Sequence, residues 1–188
     1  MPSSDSPDEP QRIHFQEMDR ASWRVYEWGD VKRGESHRMS PTIEQRLAAL
    51  GLALPEAPAP VANYVPHLIA GELLFVSGQI SKAADGSIIT GRLGDGLGIE
   101  EGQKAAQCCA LNILAQAKAA LGSLDRVAQV MRLNGFVAST PDCGDQPKVV
   151  NGASDLMVAV LGDAGRHTRV AVGVASLPAG CAVEIDAV

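Results

Sequence analysis

The closing segment, Arg169-Val-Ala-Val-Gly-Val-Ala-Ser-Leu-Pro-Ala-Gly-Cys-Ala-Val-Glu-Ile-Asp-Ala-Val188, leaves the chain few ways to fold. It reads as two strands about a tight turn at Leu177-Pro178-Ala179-Gly180, where Pro and Gly punctuate between β-branched runs. Side chains alternate along a strand. Val170, Val172 and Val174 therefore share one face of the first strand, and Arg169, Ala171, Gly173 and Ala175 share the other. In the second, Val183, Ile185 and Ala187 point one way, and Ala182, Glu184 and Asp186 the other. The pattern predicts a closing hairpin with a β-branched face on a core and a small-residue face that carries charge.

An arginine that opens an apolar strand has two readings. It is a solvated strand end, or its guanidinium hangs over a pocket floored by Ala171 and Gly173 and grips a carboxylate through two parallel hydrogen bonds. On the second reading Glu184 faces the same pocket, where a carboxylate can orient or deprotonate a water.

Upstream, residues 1–38 are polar and proline-containing, with Trp23, Tyr26 and Trp28 close together as if to dock on the main body. They form an extension. The start is acidic and has no apolar core segment, so no secretory signal is expected. Residues 39–60 are a short helix and a linker. Ser40 or Thr42 caps the helix, Pro41 suits its first position, and Gly51 stops it. Pro55-Glu-Ala-Pro58-Ala-Pro60 is stiff and extended.

The main domain spans 61–188. Val61–Ala70 and Leu73–Ile80 read as a hairpin about Gly71-Glu72, and 83–98 as a loop rich in Gly and Asp. From Ile99 to Leu121, Ala105, Cys109, Ile113, Ala117 and Leu121 recur at helical steps, and Gly122 follows. A strand at 127–138, a loop at 139–148 and a helix carrying Val150, Ala153, Met157 and Val160 precede the closing strands. The order β-β-α-β-α-β-β predicts an α+β fold, a mixed β-sheet with two helices on one face. The other face, assigned Arg169, Ala171, Gly173 and Glu184, is too apolar to stay wet and predicts self-association with closed symmetry.

Several chemistries lose support. A net charge of −6 argues against a nucleic-acid or anionic-membrane surface. No apolar run reaches the length of a membrane span. The histidines, His14, His37, His67 and His167, make no helical H-x-x-x-H pair, so no metal site is expected. Gly91-Arg-Leu-Gly94-Asp-Gly96-Leu-Gly98 matches neither phosphate-cradling glycine motif, and no serine sits in a nucleophile elbow. Cys108, Cys109, Cys143 and Cys181 lack metal-ligand spacing. They read as free thiols of a reducing compartment, the cytoplasm.

The pattern Arg-x-x-Val-x-Val-x-x-Leu-Pro-x-x-x-x-Val-Glu-Ile-Asp-Ala at 169–187 resembles the closing signature of the Rid (reactive intermediate deaminase, or YjgF-like) family. Ser77-Gly78-Gln79 resembles that family's Ser-Gly-Gln at the end of its second strand, and Tyr64 and Asn151 fall where its ligand-facing Tyr and Asn stand. As bare patterns Tyr64 is a core or edge aromatic, Ser77 a strand terminus and Asn151 a helix cap. The resemblance covers about Tyr64 to Val188. Val170 in place of Ser or Thr, Val61-Ala-Asn in place of Ile-Gly-Pro, and the long loops mark a divergent subgroup.

The resemblance implies a chorismate-mutase-like homotrimer whose sheets form a central barrel and whose sites lie between subunits. It also implies hydrolysis, with no cofactor, of enamine or imine intermediates such as 2-aminoacrylate to a 2-keto acid and ammonia. Arg169 would clamp the small-molecule substrate's carboxylate and Glu184 would hold the attacking water. Tyr64 and Asn151 would orient the ligand, with Ser77 and Ala171 lining its wall. A non-catalytic binder of keto or amino acids is the alternative use of the same residues. RNA cleavage, attributed to some relatives, fits the acidic charge least.

Overall fold

The computed structural model describes residues 41–57 and 63–188. The aromatic cluster Trp23, Tyr26 and Trp28, with the rest of residues 1–38, and the linker residues 58–62 lie outside the described residues.

Helix α1, Ile43–Ala49, begins with a reciprocal cap. The Thr42 hydroxyl accepts from the Gln45 backbone N–H, and the Thr42 N–H donates to the Gln45 side chain. Pro41 thus precedes the cap and is not the first helical residue. Strands β1 (His67–Ala70) and β2 (Leu73–Ile80) form the expected hairpin, with Gly71 at φ +62° in its turn. The loop at 83–98 contains two short parallel strands, β3 (Arg92–Leu93) and β4 (Gly96–Leu97). Helix α2 is Ile99–Leu121, strand β5 Arg132–Ala138, helix α3 Gln146–Leu161, strand β6 Thr168–Val174 and strand β7 Val183–Ala187. The strand expected from 127 begins only at Arg132, after a 3₁₀ turn at Leu124–Arg126 capped by the Ser123 hydroxyl and an irregular stretch at 127–131.

The five main strands form one sheet in the order β1-β2-β7-β5-β6. Only β5 and β6 are parallel, so the sheet is mixed as expected. The closing hairpin is not formed. β6 and β7 run in opposite directions, but β5 lies between them and pairs with both. The Pro178–Gly180 3₁₀ turn belongs to a connection that crosses the end of β5. Pro and Gly encode a reversal of the chain. They do not encode whether another strand fills the space between the reversing arms.

The helices pack very closely. A Cβ on Gly152 would strike the Gln103 backbone carbonyl, and one on Gly102 would lie 2.8 Å from Val149 Cγ2. Ala105, Ala106, Cys109, Ala110 and Ala153 are fully buried. The same tightness governs helix on sheet, where a Cβ on Gly135 would come within 2.8 Å of Val150 Cγ2. Close-packed interiors do not yield such space cheaply.

This closeness overturns the expected faces of β6. Cross-strand partners point to the same side of a sheet. One row runs Gln79, Ile185, Gly135, Ala171, and a parallel row runs Val76, Ala187, Leu133, Arg169. Ile185, Leu133 and Val76 are buried under the helices, so Ala171 and Arg169 lie on the helix side. The opposite face carries the row Ile80, Glu184, Phe136, Val172 and the row Asp186, Asn134, Val170. The β-branched face of β6 therefore turns away from the core, because only Ala and Gly fit beneath α3. The Val183, Ile185 and Ala187 face of β7 is buried as expected. The helix-free face exposes Leu68, Leu73, Phe75 and Val172. It is more apolar than the sequence pattern suggested. Among the described residues no helix is long and apolar enough to cross a membrane.

Candidate active site

The predicted residues fall into two groups. The first centres on Arg169, on the edge strand β6. Its Nη1 donates to Asn151 Oδ1 at 2.9 Å and to Ser154 Oγ at 3.0 Å, and its Nη2 reaches the Pro147 carbonyl at 3.5 Å. Asn151 and Ser154 are three residues apart, so one face of α3 presents both. Asn151 lies inside α3, not at its cap, and acts as a brace for the arginine. Both hydrogens of Nη1 are thereby used. The Nε–H and Nη2–H pair, the two-pronged edge that matches a carboxylate, makes no short bond to any described residue.

The backbone beside this arginine is also open. Thr168 N–H donates to the Met131 carbonyl, and Ser139 N–H donates to the Val174 carbonyl. In a parallel ladder this phase turns the N–H and C=O of 168, 170, 172 and 174 toward β5. Those of Arg169, Ala171 and Gly173 point to the free edge. The floor of Ala171 and Gly173 is walled at its far end by Gln146, whose Nε2 donates to Ser139 Oγ at 3.0 Å. A Cβ on Gly173 would collide with the Ser139 hydroxyl. Arg169, Ala171 and Gly173 thus share one face of β6, the helix side, next to its free edge.

The second group centres on Glu184, half-buried on the helix-free face. Its carboxylate lies over Gly78, where a Cβ would collide with Oε1. Ser77 and Gly78 form a β-bulge, since pairing with β7 slips between Val76 and Gln79. The Gln79 side chain closes the bulge by donating to the Ser77 carbonyl at 2.9 Å. The Ser77 hydroxyl donates to the Val65 carbonyl at 2.7 Å and so tethers the segment that carries Tyr64, which is exposed. Burial pushes the Glu184 carboxyl above its ordinary range, and the charge of Asp186 adds to this. Asp186 is itself held by Asn134 Nδ2 at 2.7 Å.

Within one chain the two groups do not meet. Arg169 and Glu184 lie on opposite faces of the sheet and two strands apart, about 10 Å at the usual strand spacing. The expectation that Glu184 shares Arg169's pocket is corrected on this point. Alternation gave each strand its two faces, but the relation between the faces of β6 and β7 depends on the register of each with β5.

Sequence reasoning also missed Ser154 and His167. The signals were Ser154 three residues beyond Asn151 on a helix, and His167 two residues before Arg169.

The strand order, with both helices across one face, places the chain in the chorismate-mutase-like α+β class. It belongs to the family described as "YjgF/chorismate_mutase-like, putative endoribonuclease", whose profile matches residues 44–186. This is the family that the closing signature pointed to. The chain is 51% identical over 149 residues to Protein TCP17 of Trypanosoma cruzi, covering 79% of this chain and 93% of that protein. It is similar to the crystal structure of Atu1372, a protein of unknown function from Agrobacterium tumefaciens, at TM-score 0.72 and 51% identity over 78% of this chain and 91% of that one. It is also similar to E. coli TdcF with bound serine, at TM-score 0.53 and 25% identity over 70% and 91% of the two chains.

Proposed function

We propose that the protein is a cofactor-independent deaminase that hydrolyses enamine or imine intermediates of the 2-aminoacrylate type. The observation that carries the reading is Arg169, braced by α3 so that its carboxylate-binding edge stays unspent beside an open strand edge. The serine bound to TdcF is a small amino acid with a carboxylate, which is the ligand chemistry proposed here.

The reaction balances without a redox partner. The enamine tautomerises to the imine, water adds to the imine carbon, and the carbinolamine expels ammonia to leave a 2-keto acid. Arg169 holds the carboxylate through paired hydrogen bonds, and the outward N–H of Ala171 adds a third donor. Glu184 takes a proton from the attacking water and returns it to the leaving nitrogen. A carboxyl with a raised pKa suits this exchange near neutral pH. The imine already hydrolyses in water, so positioning and one acid–base group, worth about 10²–10⁴-fold, are sufficient.

Because Arg169 and Glu184 diverge within one chain, we propose that the working site joins the Arg169 group of one copy to the Glu184, Ser77 and Tyr64 group of another. The apolar helix-free faces, with Leu68, Phe75 and Val172, would form the centre of a trimeric barrel.

The test couples an amino-acid oxidase to the purified protein and follows the imine trapped by semicarbazide. The native protein should accelerate loss of the imine, and Arg169→Ala should abolish the acceleration while the oligomer persists. Unchanged turnover in Arg169→Ala sinks the reading. Saturable binding of 2-oxobutyrate without turnover of any imine would leave a binding protein in its place.

A further inference from the structure

Arg169 is the near end of a longer chain of bonds. Ser154 Oγ, which accepts from Arg169 Nη1, lies 3.0 Å from His167 Nε2. His167 Nδ1 lies 2.6 Å from the Gly165 carbonyl. A carbonyl can only accept, so Nδ1 carries a proton, and a neutral ring then has its lone pair on Nε2. The Ser154 hydroxyl hydrogen goes to that lone pair, which turns the oxygen's own lone pairs toward Arg169. In that tautomer the direction is set along the whole relay: Arg169 to Ser154, Ser154 to His167, His167 to Gly165.

The far end is fixed. A Cβ on Gly165 would collide with the Met157 carbonyl, so the backbone there is pressed onto the last turns of α3. Thr168, between the histidine and the arginine, donates its hydroxyl to the Met131 carbonyl at 2.7 Å and anchors the strand. Both ends of the relay thus rest on rigid elements, α3 and the start of β6.

We propose that Ser154 and His167 are positioning residues for the carboxylate clamp. They hold the guanidinium plane so that the Nε–H and Nη2–H edge faces the open side of β6. This deepens the deaminase reading and rests on its clamp, but it does not need the chemical step. An arginine held only by Asn151 and the long contact to the Pro147 carbonyl could tilt about the Nη1 bond, and the fork would be aimed only part of the time. Orientation of a binding group acts on affinity, not on the proton transfers at Glu184. Losing Ser154 should therefore raise KM and Kd and spare kcat.

The experiment uses the full chain and two readouts, calorimetric binding of 2-oxobutyrate and steady-state hydrolysis of the free imine, read as the decrease in semicarbazone formed. Ser154→Ala should weaken binding and raise KM about tenfold, the scale of one hydrogen bond to a charged group, with kcat within about twofold. Ser154→Thr, which keeps the hydroxyl, should restore both. His167→Phe, which removes the acceptor, should mimic Ser154→Ala, and His167→Gln, which retains one, should recover part of the loss. This pair decides the matter if Ser154→Ala does not fold.

Native affinity in Ser154→Ala, with binding abolished in Arg169→Ala, overturns the relay and leaves the deaminase reading standing. Loss of thermal stability in step with affinity, without rescue by Thr, overturns it in favour of a structural role. Native affinity in Arg169→Ala overturns both the clamp and the relay. If the native protein binds 2-oxobutyrate but turns over no imine, the deaminase reading fails and the binding arm still decides the relay.

Discussion

Arg169 and Glu184 can be inactivated separately and then recombined. Arg169→Ala and Glu184→Gln should each be inactive as a pure oligomer. In a mixed oligomer each interface that works needs an intact Arg169 from one copy and an intact Glu184 from the next. With equal, random mixing each condition is met about half the time, so about a quarter of native activity should return in the unsorted mixture of any closed ring with heterologous interfaces, and about a third in trimers captured by both tags. The structural basis is the opposite-face placement of the two residues across β5, about 10 Å apart laterally. The assay is semicarbazide-trapped imine loss after co-refolding two differently tagged variants, with mixing verified by sequential affinity capture. A mixed oligomer that is captured by both tags and has no activity would refute the shared site. It would mean that a single chain completes its own site by a rearrangement of β6 against β7.

Three further outcomes follow from the packing and the electrostatics. Gly78→Ala puts a methyl into the Glu184 carboxylate, so it should displace that group and lower kcat by about tenfold or more, read in the same imine assay. Gly152→Ala forces α2 and α3 apart at the Gln103 carbonyl and should cost about 3 kcal/mol in urea unfolding, with the slope unchanged. Asp186→Asn removes the secondary cause of the raised Glu184 pKa and leaves burial, the main one. A base works when deprotonated, so the acid limb of the kcat/KM profile should move to lower pH without reaching the range of an exposed carboxyl. The sign for stability is separate. A carboxyl whose folded pKa is raised binds its proton more tightly when folded, so its contribution to stability falls as pH rises through the ordinary carboxylate value up to the raised one. Glu184→Gln should therefore gain thermal stability relative to the native protein above that window and not below it.

Much of this protein can be read from local chemistry. The cap at Thr42, the bounds Ile99 and Leu121 of α2, the turn at Gly71 and the buried face of β7 all follow from signals within a few residues of each other. These features depend on backbone bonds and side-chain periodicity, which neighbours in the chain largely decide. The fold class follows too, because the order of strands and helices allows few layered arrangements. The closing motif carried family membership, and Arg169, Ala171 and Gly173 share one face of β6 as alternation requires, although on the helix side.

What the sequence left open concerns partners far apart in the chain. That β5 separates β6 from β7, that the valines of β6 face outward, and that Arg169 and Glu184 lie on opposite sides are decided by register and by the space beneath α3. Alternation is the same whichever face meets the helices. Val150 pressing on Gly135, and Gln146 of α3 lying over Gly173, leave room for only the small-residue face of β6 on the helix side. The relay through Ser154 and His167 is likewise tertiary, since it forms where a helix and a strand start meet and nothing in their spacing alone requires it. The elements and the chemical groups they carry are written along the chain. Which groups face one another is set on assembly, because facing depends on packing volumes and on the register between strands distant in sequence.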